Sequence, residues 1–478
     1  MDGSGSKRIR GGQAAPVRLR NAQVLNLLPF LFFLVCYAFA PRVVNEAQLT
    51  TIIYIGIYVL LAVGLNLLMG YAGQISLGHA AFFGIGAYTS GILTAKPIAN
   101  EVIPGVSVGF AVLSAVALFL LLTRVSGWKL GVGIVLLVLL GWLHNLSSIA
   151  PAICAACAVV VMGVFGLVAK VGWSRACVSG AVLAILANVS KWFLRNTLER
   201  GGASPWTGLL VGIFLTAVIS YLIGSQVLRL RGHYLAMATL AFGVIVEIVF
   251  RQWTAVTGGS SDGIFNIPPI QFFSCIPGFM RRFYEMAAGK TVDLRTQYYY
   301  LVWAFVFIAI VLAVNIVRSR VGRAFRAVHS SEQAAASLGV DTARYKVQVF
   351  VLSACMASVA GTLHAHNAGI GYIHPSEFGF MVSVELVVMV VLGGMASVWG
   401  SLFGAAAIQT LKDTLLDLEK TNPEFWGLKL QGLDPIVFGA VLIVVMIVLP
   451  QGLVRGFSDG LSALWRGAGR IKKQQGVG

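Results

Sequence analysis

The stretch RSRVGRAFRAVHSSEQAAASLGVDTARYK, residues 318–346, is a polar, basic island between two long apolar runs. In its middle, Gln333, Ala334 and Ala335 followed by Gly339 predict a short helix closed by a glycine stop. Phe325, Val328 and Leu338 offer an apolar side on which the island can pack, while Arg323, Arg326 and Gln333 stay polar. A polar helix held between two membrane spans is a place where an outside partner can push. The island therefore points to a moving part rather than to an enzyme.

The rest of the chain sets that island in a membrane. Of 478 residues, 58% are hydrophobic and 11% charged, against about 25% charged in a soluble domain. The mean hydropathy is +0.84. A formal net charge of +17 raises nucleic acid as a partner, but the basic residues are spread through the segments between apolar runs, which suits membrane topology and not a nucleic-acid patch. The six cysteines lie mostly within apolar runs, which argues against a disulfide framework. The basic N-terminal stretch leads into an apolar run without a clear small-x-small cleavage site, so that run reads as a first span and not as a cleaved signal.

A bilayer crossing takes about 20 apolar residues. Candidate spans fall at 24–40, 47–69, 74–95, 105–123, 128–143, 149–169, 173–194, 206–228, 234–250, 298–317, 346–368, 381–396, 399–411 and 435–449, and 381–411 reads equally as a re-entrant pair. Lipid cannot satisfy open strand edges, so the fold class is an all-α, polytopic transmembrane helical bundle. With both termini inside, the inner loops and tails hold 22 Lys/Arg against 4 Asp/Glu, and the outer loops 13 against 12. That asymmetry puts the island, the basic tail at 456–478 and the tail at 1–23 on the cytoplasmic side. Lys191, Arg195 and Arg200 run against it. The longest outer loop, 251–297, and the loop at 371–379 lie on the other side.

Several residues invite chemistry. In YAGQISLGHAAFFGIGAYTSGIL, residues 71–93, the glycines Gly78, Gly84, Gly86 and Gly91 suit close helix contacts. Gln74, Ser76 and His79 add polar groups there, and without a third catalytic member they fit packing or a polar pathway better than catalysis. Gly393 and Gly394 are a second small-residue seam. Glu247 and Glu385 are the only carboxylates inside candidate spans, which makes them candidates for gating, coupling or helix fixing. His364 and His366, two apart on a helix, point to opposite faces and cannot share a metal ion. Cys154 and Cys157 lack a second ligand pair. Gly289-Lys290-Thr291 is half of a nucleotide-binding loop, with Tyr284 where its first glycine belongs. The glycosylation patterns at Asn145 and Asn188 carry no weight, the second lying within a span. No metal site, cofactor or catalytic set is expected.

YAGQISLGHAAFFGIGAY, LRLRGHYLAMATLAFGVIVEIVFRQW (228–253), TGGSSDGI and VELVVMVVLGGMASVWGSLFGAA (384–406) together resemble the LivM-type permease of branched-chain amino acid ABC importers. The island resembles that family's cytoplasmic coupling loop. The match runs in the family's order over most of 24–95 and 206–455, and it departs at 105–200, an apolar insertion reading as about four extra spans. The resemblance implies about ten core spans and a transport subunit of the bacterial inner membrane. Its implied partners are a LivH-type second permease, two cytoplasmic ATPases, a periplasmic binding protein, membrane lipid and an amino-acid substrate, with no nucleic acid. It implies that Arg323, Glu332, Gln333, Ala334, Ala335 and Gly339 form the ATPase-coupling segment, although Gln333 stands where the general importer signature has Glu. Two alternatives remain: a permease for urea, short amides or other amino acids, and a secondary transporter driven by an ion gradient.

Overall fold

The computed structural model describes residues 44–95, 181, 203–230, 232–259, 263–271, 293–368, 371–421, 424–425, 428–429, 439–440 and 443. The predicted spans at 24–40, nearly all of 105–200 and nearly all of 435–449 lie outside the described residues, as do Cys154, Cys157, Asn145, Asn188 and Gly289-Lys290-Thr291. The chain divides into compact units after Leu49, and the packing below is that of the unit beginning at Thr50.

Among the described residues the regular elements are helical apart from one two-residue strand pair and an isolated bridge between Ile264 and Ile373. Helix α1, Glu46–Asn66, runs on into a π turn at Leu67–Tyr71, and α2 spans His79–Thr94. Then come α3 (Pro205–Val227), α4 (His233–Gln252) and the single turn α5 (Thr254–Thr257). The island follows α6 (Leu294–Arg318) and folds as α7 (Arg320–Ser330) and α8 (Glu332–Ser337), leading into α9 (Thr342–Ala365). A 3-10 turn at Pro375–Phe378 opens the hairpin of α10 (Phe380–Gly393) and α11 (Val398–Thr421). Strands β1 (Glu424–Phe425) and β2 (Leu428–Lys429) pair antiparallel. Among the described residues, five helices are long and apolar enough to cross a membrane: Glu46–Tyr71, α3, α4, α6 and α9.

Glycine sets the packing. The helices α2, α3 and α9 share the most extensive contacts, followed by the α10–α11 hairpin. A Cβ at Gly361 of α9 would land on the Phe83 carbonyl of α2, and one at Gly86 of α2 on the Ser358 carbonyl of α9, so the two backbones touch from both sides. Gly393, Gly400 and Gly404 do the same for α10 and α11, where a Cβ would meet backbone carbonyls of the facing helix. In lipid, where apolar surface alone gives helices no reason to associate, such close van der Waals approach is a main source of cohesion.

Two boundaries differ from those read in the sequence. The span predicted to start at 74 is helical only from His79, because 72–78 is a non-helical link exiting the π turn through Gly73 at φ +69°. Irregular backbone at such a depth is tolerated where protein covers it. The amides at the entry to α2 are met from elsewhere, Leu77 N of the link donating to Thr239 Oγ1 (3.1 Å) and Ala80 N of α2 to Ser383 Oγ (3.1 Å). Helix α11 runs on to Thr421, well past the expected end at 411, so Lys412 and Asp413 sit on a helix and not in a loop.

The bundle has two distinguishable ends. At one, His329 of α7 packs against Gly73 at the exit of the α1 π turn. At the other, Trp303 Nε1 of α6 donates to the Ile52 carbonyl of α1 (3.2 Å), and the Tyr298 hydroxyl donates to the Leu363 carbonyl near the end of α9. The segments 263–267 and 371–373 also meet, with Ile264 N donating to the Ile373 carbonyl (3.0 Å) and Ile373 N returning a bond to Ile264 (3.1 Å).

Candidate functional site

The island is folded and anchored. Ser319 Oγ caps α7 by accepting from Val321 N (3.1 Å), and Ser331 Oγ caps α8 by accepting from Ala334 N (3.3 Å). Phe325 and Val328 are buried, with the Phe325 ring edge-on to Tyr345 of α9. Helix α8 ends in a Schellman arrangement: Val340 N donates to the Ala335 carbonyl (3.1 Å) and Gly339 N to the Ala336 carbonyl (3.0 Å). Gly339 takes φ +83°, in the region that disfavours a Cβ.

The faces of α8 are unequal. Ala335 is 2% exposed and rests against the bundle, while Gln333, Ala334, Ala336 and Ser337 are exposed. Leu338, read as part of the packing side with Phe325 and Val328, is 84% exposed, because the capped helix end turns it outward. Glu332 is engaged within the chain, in an ion pair with Lys346 of α9 at 2.7 Å. Arg323 is exposed on α7. The outcome is a firmly seated short helix with an apolar knob and small side chains facing out.

At the opposite end, ionisable groups gather. His364 Nε2 of α9 pairs with Glu377 Oε2 of the 3-10 turn at 2.7 Å. Lys412 Nζ of α11 lies 3.1 and 3.2 Å from the two oxygens of Glu385 on α10. Thus Glu385 has a basic partner, which lies just beyond the apolar run at 399–411. Asp413 Oδ1 accepts from Gln409 Nε2 (3.2 Å). The ring of Tyr54 of α1 lies beside that of His364, with centroids 6.0 Å apart. Helices α9, α10 and α11 and the 3-10 turn thus all bring polar groups to this end. Glu247 is different: it pairs with Arg251 one turn along α4 (2.7 Å) and accepts from Phe380 N (3.3 Å).

Ser76 and His79 do not form a pair. His79 Nε2 meets Ser353 Oγ (3.1 Å), which donates to the Gly64 carbonyl (2.6 Å). Among the described residues, Ser76 Oγ, both amide atoms of Gln74 and His79 Nδ1 are buried without a protein partner. His366 diverges from His364, lying 2.6 Å from both Ser90 Oγ and the Pro268 carbonyl. The remaining glycines take varied neighbours: Gly78 abuts the Thr239 carbonyl and Gly84 the rings of Phe250 and Phe378, while Gly394 caps α10 at φ +109°.

Asn66 escaped the sequence reading. Its Nδ2 donates to the Ser397 carbonyl (2.7 Å) and to Ser401 Oγ (2.8 Å), and its Oδ1 accepts from Ala396 N (2.9 Å), with Ala396 at φ +59°. One buried amide of α1 thus clamps the turn between α10 and α11. The available signal was a single Asn near the end of an apolar run.

The family model for branched-chain amino acid transport system permease components matches residues 48–150 and 146–448. The high-affinity branched-chain amino acid transport system permease protein LivM of Salmonella typhimurium is 32% identical over 261 residues, 53% of this chain and 58% of that protein. LivM of Escherichia coli K12 is likewise 32% identical, over 263 residues, with the same coverage. LivH of Salmonella typhimurium is 25% identical over 299 residues, 61% of this chain and 87% of that protein. The chain thus spans somewhat over half the length of the LivM proteins it matches. No solved structure matches it. The chain, matched over most of its length, belongs to the family of branched-chain amino acid transport system permease components.

Proposed function

We propose that the chain is a permease subunit of an ATP-driven importer, forming half of the pathway for branched-chain amino acids. In this reading it lies in the bacterial inner membrane with both termini cytoplasmic, and ten family-core spans are joined by about four from the insertion. It pairs with a second, LivH-type permease and takes substrate from a periplasmic binding protein, and two ATPase subunits dock from the cytoplasm. The observation that carries this is the island. It is braced on α9 by Phe325, Ala335 and the Glu332–Lys346 pair and touches the link leaving the α1 π turn, where His329 meets Gly73, yet presents Gln333, Ala334, Ala336 and Leu338 outward. A push on α8 reaches two long helices through packed contacts, which is what alternating access needs.

Ala335 faces inward, so a bulky charge there would report on folding. Leu338 and Gln333 report on docking. The polar cluster around Tyr54, His364, Glu377, Glu385 and Lys412 is the pathway candidate at the far end, with Gln74, Ser76 and His79 a second polar node nearer the island. Against ion-gradient coupling, Glu247 and Glu385 each hold a cationic partner and offer no unpaired intramembrane acid. Uptake in proteoliposomes carrying the four membrane and ATPase subunits decides the matter. Leucine should accumulate only with internal ATP and the binding protein, and should survive collapse of the proton gradient. ATP-independent uptake abolished by a protonophore would replace this reading with a secondary transporter, and uptake of urea in place of leucine would move it to the amide permeases.

A further inference from the structure

Beside α8 the island holds an open cleft of about 720 Å³. Arg320 and Arg323 of α7 and Arg344 of α9 line it, with Gly339, Tyr345 and Gln348. Among the described residues none of the three guanidiniums has a carboxylate partner. The one acid on its wall, Asp341, has its Oδ1 engaged as the cap of α9, accepting from Arg344 N (3.1 Å). Three arginines against one engaged aspartate make the cleft a receptor for an anion, and guanidinium suits phosphate.

The depth of the cleft says which phosphate. Arg320 lies two residues beyond the end of α6, and Arg344 to Gln348 lie in the first two turns of α9, and both helices are candidate spans. From Asp341 to Gln348 the chain climbs about 10 Å along the α9 axis. That is comparable to the headgroup layer, some 5–8 Å on each side of the apolar core. Tyr345 has the character of an interfacial aromatic. Basic pockets between helices on the cytoplasmic side are suited to anionic lipid. We propose that the cleft binds the headgroup of an anionic phospholipid, its phosphate between Arg320, Arg323 and Arg344 and its acyl chains leaving along α9. The proposal requires the helices to span the membrane and does not depend on what the protein transports. Gly339, the stop of α8, shares the wall, so a bound lipid would brace the segment assigned to docking.

Native mass spectrometry of the purified full chain, titrated with phosphatidylglycerol and separately with phosphatidylcholine, tests it. The wild type should hold one phosphatidylglycerol in clear preference to phosphatidylcholine. Arg320→Gln, Arg323→Gln and Arg344→Gln combined should weaken that binding roughly a hundredfold, at about fivefold for each lost cation. If the triple variant does not fold, Arg323→Gln alone should show the fivefold step. Arg326→Gln, exposed on the same helix outside the cleft, should change nothing. Equal binding by wild type and the arginine variants, or no preference for the anionic lipid, overturns the proposal. Displacement of the lipid by millimolar inorganic phosphate would make this a soluble-anion site. Lipid retention by the triple variant with loss of ATPase-subunit capture would make it a protein contact. Either result also overturns the proposal.

Discussion

Gly361 and Gly339 are the same residue in two regions that fail for opposite reasons. Gly361 sits where α9 crosses α2, and any side chain would strike the Phe83 carbonyl. Gly339 has nothing within 4 Å of a notional Cβ, yet its φ of +83° disfavours one. The bundle thus uses glycine for contact, whereas the island uses it for conformation. A bundle held by backbone contact has little room to deform and transmits displacement as a unit. The island has a fixed end and a free outer face, which suits a surface that another protein must grip. Damage to the first region should remove the protein, and damage to the second should leave it in place.

The largest effect is therefore expected from Gly361→Leu, which forces two helices apart. Overpacking usually costs about 1–3 kcal/mol, and a clash with backbone on a facing helix belongs above that range. Monodisperse protein recovered from membranes should be nearly lost, with Gly86→Val close behind. Next is Lys412→Ala, which strands Glu385 in a largely buried place: the side chains of the pair are 25% and 10% exposed. Removing one partner of a fully buried pair costs about 3–5 kcal/mol; partial exposure of Lys412 reduces this to roughly 2 kcal/mol. The double variant Lys412→Met with Glu385→Gln should recover most of the lost thermal stability, and a pathway role would still show as reduced uptake.

Gly339→Ala should cost about 1 kcal/mol, read as a small fall in melting temperature with normal membrane levels. A loss of protein as severe as that from Gly361→Leu would erase the distinction drawn here. Glu247→Gln should be smallest, under about 1 kcal/mol, since its Arg251 partner is half exposed and one turn away. A large uptake defect there would reassign Glu247 to the pathway.

What was legible in the sequence followed the length of the apolar runs and the chemistry of glycine. The spans at 47–69, 206–228, 234–250, 298–317 and 346–368 correspond to helices within a few residues, because about 20 apolar residues leave few alternatives. The glycine stop after Ala335 could be read because a left-handed cap favours that residue. The link before His79 could not, since the amides of Leu77 in it and of Ala80 just after it are met by Thr239 and Ser383, far away in the chain. Lys412 reads as lying beyond the helix because hydropathy fades before α11 ends at Thr421, and its partner Glu385 lies 27 positions back. The outward turn of Leu338 is a matter of tertiary placement, and apolar character alone suggested the reverse.

The most direct test of the central claim is ATP-driven uptake by the chain reconstituted with its proposed importer partners and carrying Leu338→Asp. Leu338 is 84% exposed, so the variant should fold, insert and assemble its pathway as the wild type does. ATP-driven leucine uptake should fall at least about tenfold, as expected when an apolar contact at a docking surface is lost, while the ATPase subunits continue to hydrolyse ATP. Uptake at the wild-type rate would contradict the account, because the island could then not be the surface through which ATP hydrolysis drives this chain.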